Sequence, residues 1–337
     1  MFFLLNSSKM FFFFMLFFST LISISSNSWL GCWIGLEINL LSFIPMINNI
    51  NNMFSTEASL KYFLIQSIAS INFLFSILMK MILMKNFESN LFISIMINLS
   101  LLMKMGSAPF HFWFPNIMEG LSWFNNFILM TWQKISPMIL LSYYFNLKFI
   151  MIISILNVII GAMGGLNQTS LRKIMAFSSI NNLGWLLCAI MISENLWLFY
   201  FLFYSLLISI MCFLFYNLNM FYINQLFINN MNFMIKINLM INFLSLGGLP
   251  PFLGFFPKWI LINFLIMKNF YLLTFIFVMM SLITLFFYIR IAYSSFLFNF
   301  TKMKWLKISL KNNWMNMINF YSFISISGVI LSTFFFI

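Results

Sequence analysis

The 337-residue chain is 63% hydrophobic and 7% charged, with a net charge of +12 and a mean hydropathy of +1.01. That composition excludes a soluble globular domain and defines a polytopic membrane protein. The basic surplus would point to nucleic acid in a soluble chain, but here it punctuates apolar segments and membrane-edge loops; lipid contacts are expected and a nucleic-acid partner is not.

A hydrocarbon layer about 30 Å thick needs about 20 apolar residues per helix. In chain order, spans are predicted near 10–26, 28–48, 58–82, 91–109, 121–144, 149–166, 174–192, 195–216, 237–265, 270–295 and 317–337. Runs such as Phe11–Phe18 and Phe270–Met280 lack the apolar/polar alternation of a membrane β-barrel. The expected fold is therefore all-α, with about eleven transmembrane helices in one domain over 1–337. The first apolar run has no small-residue cleavage site behind it and leads into another span, so it reads as a retained helix.

Under these spans one membrane face collects Lys9, Arg172, Lys173, Lys236, Lys302, Lys304, Lys307 and Lys311, and the other Lys80, Lys85, Lys148 and Lys268. The positive-inside rule makes the richer face the matrix or cytoplasmic side. The N-terminus is expected there and the C-terminus on the opposite side. Cys32, Cys188 and Cys212 are isolated in apolar contexts, as small core residues are. With one histidine, no aspartate and no glycine-rich phosphate motif, no cofactor or metal bound by this chain is expected.

The chain contains an internal echo. Gly106, Pro109, Phe110, Phe114 and Pro115 recur at identical offsets as Gly248, Pro251, Phe252, Phe256 and Pro257. Proline removes a backbone donor and glycine weakens the helical preference, so helices should break near 106–115 and 248–257. Each break alone reads either as a loop end or as unwound backbone facing a watery cavity. The pairing favours a pseudo-symmetric transporter, in which such breaks meet the ion path near the midplane.

Four ionisable residues, Glu37, Lys104, Lys134 and Lys258, fall inside or at the broken ends of these spans. A charge at the bilayer centre costs about 3 kcal/mol on insertion scales, so such residues are buried between helices and functional. Lys134 lies mid-span, three residues before Pro137, which should kink the helix. Its ammonium is either paired or neutral, and the ability to be neutral is what a reversible proton carrier needs. Glu37 is surrounded by apolar residues with Asn39 as its nearest polar companion; Lys104 is its natural partner, and such a pair would titrate as a coupled unit. Glu57 and Lys61 form an i,i+4 pair with Ser55 or Thr56 as a helix cap. Glu119 reads as interfacial. His111, inside the first break, either relays protons or fixes the loop by a hydrogen bond.

At these residues a resemblance becomes specific. The strings NSWLGCWIGLEINL (27–40), STEASLKYF (55–63), APFHFWFP (108–115), GGLNQTSLRK (164–173) and SLGGLPPFLGF (245–255) resemble the family of subunit 2 of animal mitochondrial NADH:ubiquinone oxidoreductase, respiratory complex I. The resemblance implies an antiporter-like fold of inverted five-helix repeats, in an animal form that lacks three helices at its start. It also implies that Glu37, Lys104, Lys134 and Lys258 lie on a hydrated midplane axis that transfers protons, driven by quinone reduction in other subunits. NADH, FMN, iron–sulfur clusters and ubiquinone are then expected in those other subunits, with complex I membrane-arm subunits and lipids as partners. Relatives often have histidine at the position of Asn182, which makes that residue a neutral hydrogen-bonding link here.

The implied location is the mitochondrial inner membrane, with the N-terminus in the matrix and the C-terminus in the intermembrane space. The surplus of Phe, Met, Ile and Asn, as AT-rich codons would give, leans the same way. Two rival readings remain. A free-standing cation/proton antiporter would need a dedicated cation site, which a chain with no Asp and five Glu provides poorly. A structural spacer subunit would tolerate loss of all four charges.

Overall fold

In lipid the backbone must satisfy its own hydrogen bonds, and the computed structural model of the chain is accordingly helical almost throughout. It describes residues 7–49, 51–83, 90–228, 230–231, 233–297, 307–308 and 312–328. The chain divides into two compact units, Met1–Ile150 and Met151–Ile337.

The first unit contains α1 (Ser7–Ser25), α2 (Trp29–Ile47), α3 (Met53–Leu83), α4 (Asn90–Met105), α5 (Trp113–Gly120), α6 (Trp123–Met130) and α7 (Trp132–Tyr143). Ser28 caps α2 by accepting from Gly31 N at 3.2 Å. The α1–α2 pair packs closely because Gly35 faces Ser23; a Cβ there would lie 2.7 Å from the Ser23 nitrogen, the small-residue contact that lets membrane helices approach. Near the end of α3, the Lys80 ammonium sits 3.9 Å from the Tyr144 ring centroid and 5.0 Å from that of Trp29, a cation–π clasp.

Helix α8 (Leu147–Gly165) leads into the second unit, which continues with α9 (Leu171–Ile192), α10 (Glu194–Leu218), α11 (Ile223–Ile228), α12 (Phe233–Gly247), α13 (Phe255–Met267), α14 (Tyr271–Leu297) and α15 (Asn312–Ile326). Two residue pairs, β1 (Asn230–Met231) and β2 (Lys307–Ile308), run parallel. Helix α9 is buried along most of its length, and its buried polar residues bond to other groups, Asn181 Nδ2 to Val158 O at 3.2 Å among them. Gly161 and Gly184 bring α8 against it, the first facing Asn181 and the second Ser154 and Val158.

The eleven predicted spans correspond in order to α1, α2, α3, α4, α6 with α7, α8, α9, α10, α12 with α13, α14 and α15. Among the described residues seven helices are long and apolar enough to cross a membrane, and α4, α12 and α13 are shorter apolar helices. The span predicted at 317–337 extends past Gly328, and its last residues lie outside the described ones. So do Lys85, Lys302, Lys304 and Lys311 of the charge count.

Two local expectations are corrected. The span at 121–144 is interrupted at Thr131 (φ −114°, ψ −72°) as well as containing Pro137. Thr131 Oγ1 donates to Phe127 O at 2.7 Å, and such back-bonding bends helices, while Pro137 leaves the carbonyl four residues earlier without its donor. Helix α3 begins at Met53, so Ser55 and Thr56 lie inside it and do not cap it. Ser55 Oγ instead donates to Asn52 O at 2.8 Å. The Glu57–Lys61 pair forms as expected, at 2.5 Å.

Candidate functional site: two broken helices and their lysines

The two echoed segments end their first helices in the same way. Gly106 follows α4 with φ +71° and Gly248 follows α12 with φ +82°, a region where glycine carries no Cβ penalty. Gly106 N donates to Met103 O and Ser107 N to Leu102 O, at 3.2 and 3.1 Å; Gly248 N donates to Ser245 O and Leu249 N to Leu244 O, at 3.1 and 3.4 Å. Each set is a Schellman closure, which satisfies carbonyls that a helix end leaves open. Both chains resume as helix seven residues after the glycine, at Trp113 and Phe255. Pro115 and Pro257 are each the third helical residue, where no intrahelical donor is required.

The three lysines at these interruptions are all buried, with exposures of 7% for Lys104, 1% for Lys134 and 7% for Lys258. In the first unit Lys104 ends α4, and its carbonyl accepts from Gln66 Nε2 at 3.1 Å. Lys134 lies in the first turn of α7, its ammonium 5.2 Å from the ring centroid of Phe114, so the kinked span packs onto the first break. Gln133 Nε2 donates to Asn39 Oδ1 at 2.8 Å, and Tyr62 OH donates to Gln133 Oε1 at 3.5 Å. Gln66, Tyr62, Asn39, Gln133, Ser136 and Lys104 line a cavity of about 10 Å³, which is at the threshold for one water molecule.

Glu37 is half-buried on α2. It acts electrostatically on both Lys104 and Tyr62. Among the described residues no ion pair joins Glu37 to Lys104. The position beside Asn39 that the sequence indicated is thus one edge of a polar cluster, with Lys104 at another.

In the second unit Lys258 reaches back across its break and donates to Gly247 O at 3.2 Å. That carbonyl belongs to the last turn of α12, where the helix dipole presents partial negative charge to a cation. Its ammonium also stands 3.0 Å from where a Cβ on Gly248 would be. A cavity of about 20 Å³, room for one water, is lined by Lys258, Asn182, Tyr200, Tyr204 and Gly254 among others. Tyr200 OH donates to Asn182 Oδ1 at 3.1 Å, so Asn182 is a neutral hydrogen-bonding group beside the lysine.

Tyr62, Gln66, Gln133, Tyr200 and Tyr204 were not singled out from sequence. The two glutamines carried a signal, since an amide inside an apolar span must find a partner; the tyrosines carried none. His111 makes the loop hydrogen bond that was one of its two expected roles, its Nδ1 bonding to Pro109 O at 3.3 Å, with its ring tilted by 33° against that of Phe112. Cys32, Cys188 and Cys212 are buried free thiols. Among the described residues no three His, Cys, Asp or Glu side chains converge to hold a metal ion.

Broken helices carrying buried lysines inside an apolar helical fold define an antiporter-like membrane protein, and known proteins similar to this chain agree. A family model for NADH:quinone oxidoreductase/Mrp antiporter transmembrane proteins matches residues 26–284. NADH-ubiquinone oxidoreductase chain 2 of Anopheles gambiae is 54% identical over 323 residues, covering 93% of this chain and 94% of that protein. The protein of that name from Locusta migratoria is 45% identical over 317 residues, covering 93% of each. Among solved structures, a chain of respiratory complex I from Thermus thermophilus with bound aureothin shares the fold, with a TM-score of 0.82 at 17% identity over 97% of this chain and 79% of that one. The chain belongs to the NADH:quinone oxidoreductase/Mrp antiporter family, and within it to the NADH-ubiquinone oxidoreductase chain 2 family.

Proposed function

We propose that the chain is a proton-translocating subunit of the membrane arm of respiratory complex I, a multi-pass protein of the mitochondrial inner membrane. The observation that carries the reading is that each of three buried lysines sits at an interruption of a helix, in a chain of this family. Interrupted backbone supplies polar groups at membrane depth, and Lys104 and Lys258 each line a water-sized cavity, the first of them shared with Gln133 and Ser136, the neighbours of Lys134 on α7. A lysine there can exchange its proton with water without leaving its site.

Lys134 acts as the central carrier. Lys104, within the field of Glu37, acts as a switch that loads and releases, and Lys258 is the distal station. Protons pass among them through water, and the drive comes from quinone reduction in other subunits, which hold the redox cofactors. Moving one charge against 100 mV costs about 2.3 kcal/mol, and one pKa unit is worth about 1.4 kcal/mol, so rearranged pairing at a lysine supplies energy of the required size. The chain acts as one antiporter-like domain over 1–337, its N-terminus in the matrix and its C-terminus in the intermembrane space, with other membrane-arm subunits and lipids around it.

The test is proton translocation by the assembled complex in vesicles, with the number of protons moved per NADH oxidised as readout. Lys134→Met should lower that ratio while the complex remains assembled. A variant complex that pumps at the original ratio would overturn the assignment of Lys134 and favour a spacer role.

A further inference from the structure

Helix α12 carries a line of polar side chains that the scheme above does not use. Asn238, Asn242 and Ser245 follow one another at i, i+4 and i+7, which places them on one helix face. Helix α15 packs against α12 and contributes Asn319, Ser322 and Ser325 at successive turns. Asn238 Nδ2 donates to Asn319 Oδ1 at 2.7 Å, Asn242 Nδ2 to Asn238 O at 2.8 Å, and Ser245 Oγ to Asn242 O at 2.8 Å. Asn242, Ser245, Ser322 and Ser325 are all buried.

The line has two distinct ends. At the inner end Leu253 N donates to Ser325 O at 3.0 Å, which ties α15 to the second break, and Lys258 bonds to Gly247 O of α12. At the outer end Asn319 of α15 is exposed, and Lys236, two residues before Asn238 on α12, is buried. From Lys236 to Gly247 the helix rises about 16 Å at 1.5 Å per residue, about half of a 30 Å hydrocarbon layer. The polar seam thus runs from the first turn of α12 to its end, where Lys258 bonds to Gly247 O.

One group on the seam is left over. Asn242 Oδ1 is buried and has no hydrogen-bond partner among the described residues, a situation that costs about 1–3 kcal/mol unless a donor is supplied. Holding two helices together requires only the Asn238–Asn319 clasp, and a leucine at 242 would serve packing better. Water is the donor that fits a buried amide oxygen in a polar seam.

We propose that the α12–α15 seam is a proton path between Lys258 and the membrane face on which Lys236 lies, with Asn242 as the residue that positions its water. The inference rests on the carrier role given to Lys258 above. In the step, an O–H bond of the water beside Lys258 breaks as an N–H bond forms on the neutral Lys258 amine, and that water takes a replacement proton from the next along the seam. The asparagine amides accept and donate hydrogen bonds but neither ionise nor change oxidation state. Lys258 is left as an ammonium, loaded for transfer along the axis.

The experiment compares Asn242→Leu, Asn242→Ser and Lys258→Met in the assembled complex in vesicles, reading protons per NADH and the solvent deuterium isotope effect on pumping. Asn242→Leu should lose the same share of translocation as Lys258→Met and alter the isotope effect; Asn242→Ser, whose hydroxyl can hold water, should restore half or more. Pumping by Asn242→Leu at the original ratio, with Lys258→Met impaired, would overturn the seam alone. An unimpaired Lys258→Met would overturn the carrier role and the seam with it. Should Asn242→Leu not assemble, a high-resolution map of the unmodified complex decides: water density within hydrogen-bond reach of Asn242 Oδ1 is expected, and a dry seam overturns the proposal.

Discussion

The two broken helices share one backbone and differ in how they hold a charge. Both close with a left-handed glycine and resume seven residues later with proline in the third helical position. Lys104, however, lies two residues before its glycine, whereas Lys258 lies ten after. Leu246 occupies the position equivalent to Lys104, and Asn116 the one equivalent to Lys258. The first lysine stands in the field of a carboxylate, Glu37. The second is held by the open carbonyl end of α12 and lies beside neutral Asn182 and Tyr200. A repeated backbone therefore fixes where polar groups can exist at membrane depth, while single substitutions decide which limb bears the charge and what steadies it.

Several substitutions would break or sharpen this contrast. The largest effect is expected of Glu37→Gln, which removes the carboxylate of α2 that acts on Lys104. Proton translocation through the first unit should fall about tenfold for a lost interaction of about 1.4 kcal/mol. A double-mutant cycle with Lys104→Met should then be strongly non-additive, and a cycle of Glu37→Gln with Lys258→Met close to additive. Additivity in the first cycle would remove the coupling between Glu37 and Lys104.

The glycines come next. Alanine at either position meets about 1–2 kcal/mol of left-handed backbone strain, but the neighbours differ. At Gly106 the new Cβ would lie 3.0–3.1 Å from the rings and stem of Phe114 and Trp113, and at Gly248 it would lie 3.0 Å from the mobile end of Lys258. Gly106→Ala should lower thermal stability more, and Gly248→Ala should lower pumping more by displacing the ammonium. Thermal unfolding and proton ratio measured on both variants test the pair; equal losses in both readouts would count against the distinction.

Smaller effects are expected from the neutral partners. Gln133→Leu removes the bonds to Asn39 and Tyr62 and leaves a buried amide oxygen unpaired, a loss of about 1–3 kcal/mol that thermal unfolding would register. Tyr200→Phe removes one hydroxyl bond to Asn182 and should cost about 1 kcal/mol with modest change in pumping. If Tyr200→Phe proved more damaging than Gln133→Leu, the neutral surroundings of Lys258 would matter more than the geometry around Lys104.

Much of this was readable without coordinates, and the residues show why. The breaks were legible because glycine and proline act locally: their backbone preferences do not depend on what packs around them. The four charged positions were legible because an ionisable group in an apolar run is costly wherever the helix sits. The partner of Glu37 was only half legible. A sequence gives the spacing along one helix, but whether a carboxylate on α2 touches a lysine on α4 depends on the rotation and offset of separate helices. The break at Thr131 was hidden for a related reason, since threonine bends a helix only when its hydroxyl bonds back to the preceding turn.

The sequence by itself determined the membrane class, the order of the spans, the two helix breaks and the placement of Glu37, Lys104, Lys134 and Lys258 inside the spans or at their broken ends. These follow from hydropathy and from backbone chemistry confined to a few residues. Only the tertiary structure decided that Lys258 turns back onto the end of α12, that Gln133 joins Asn39 to Tyr62, and that the asparagines of α12 meet α15. Those outcomes depend on distances of about 3 Å between residues far apart in the chain, which packing fixes and composition does not.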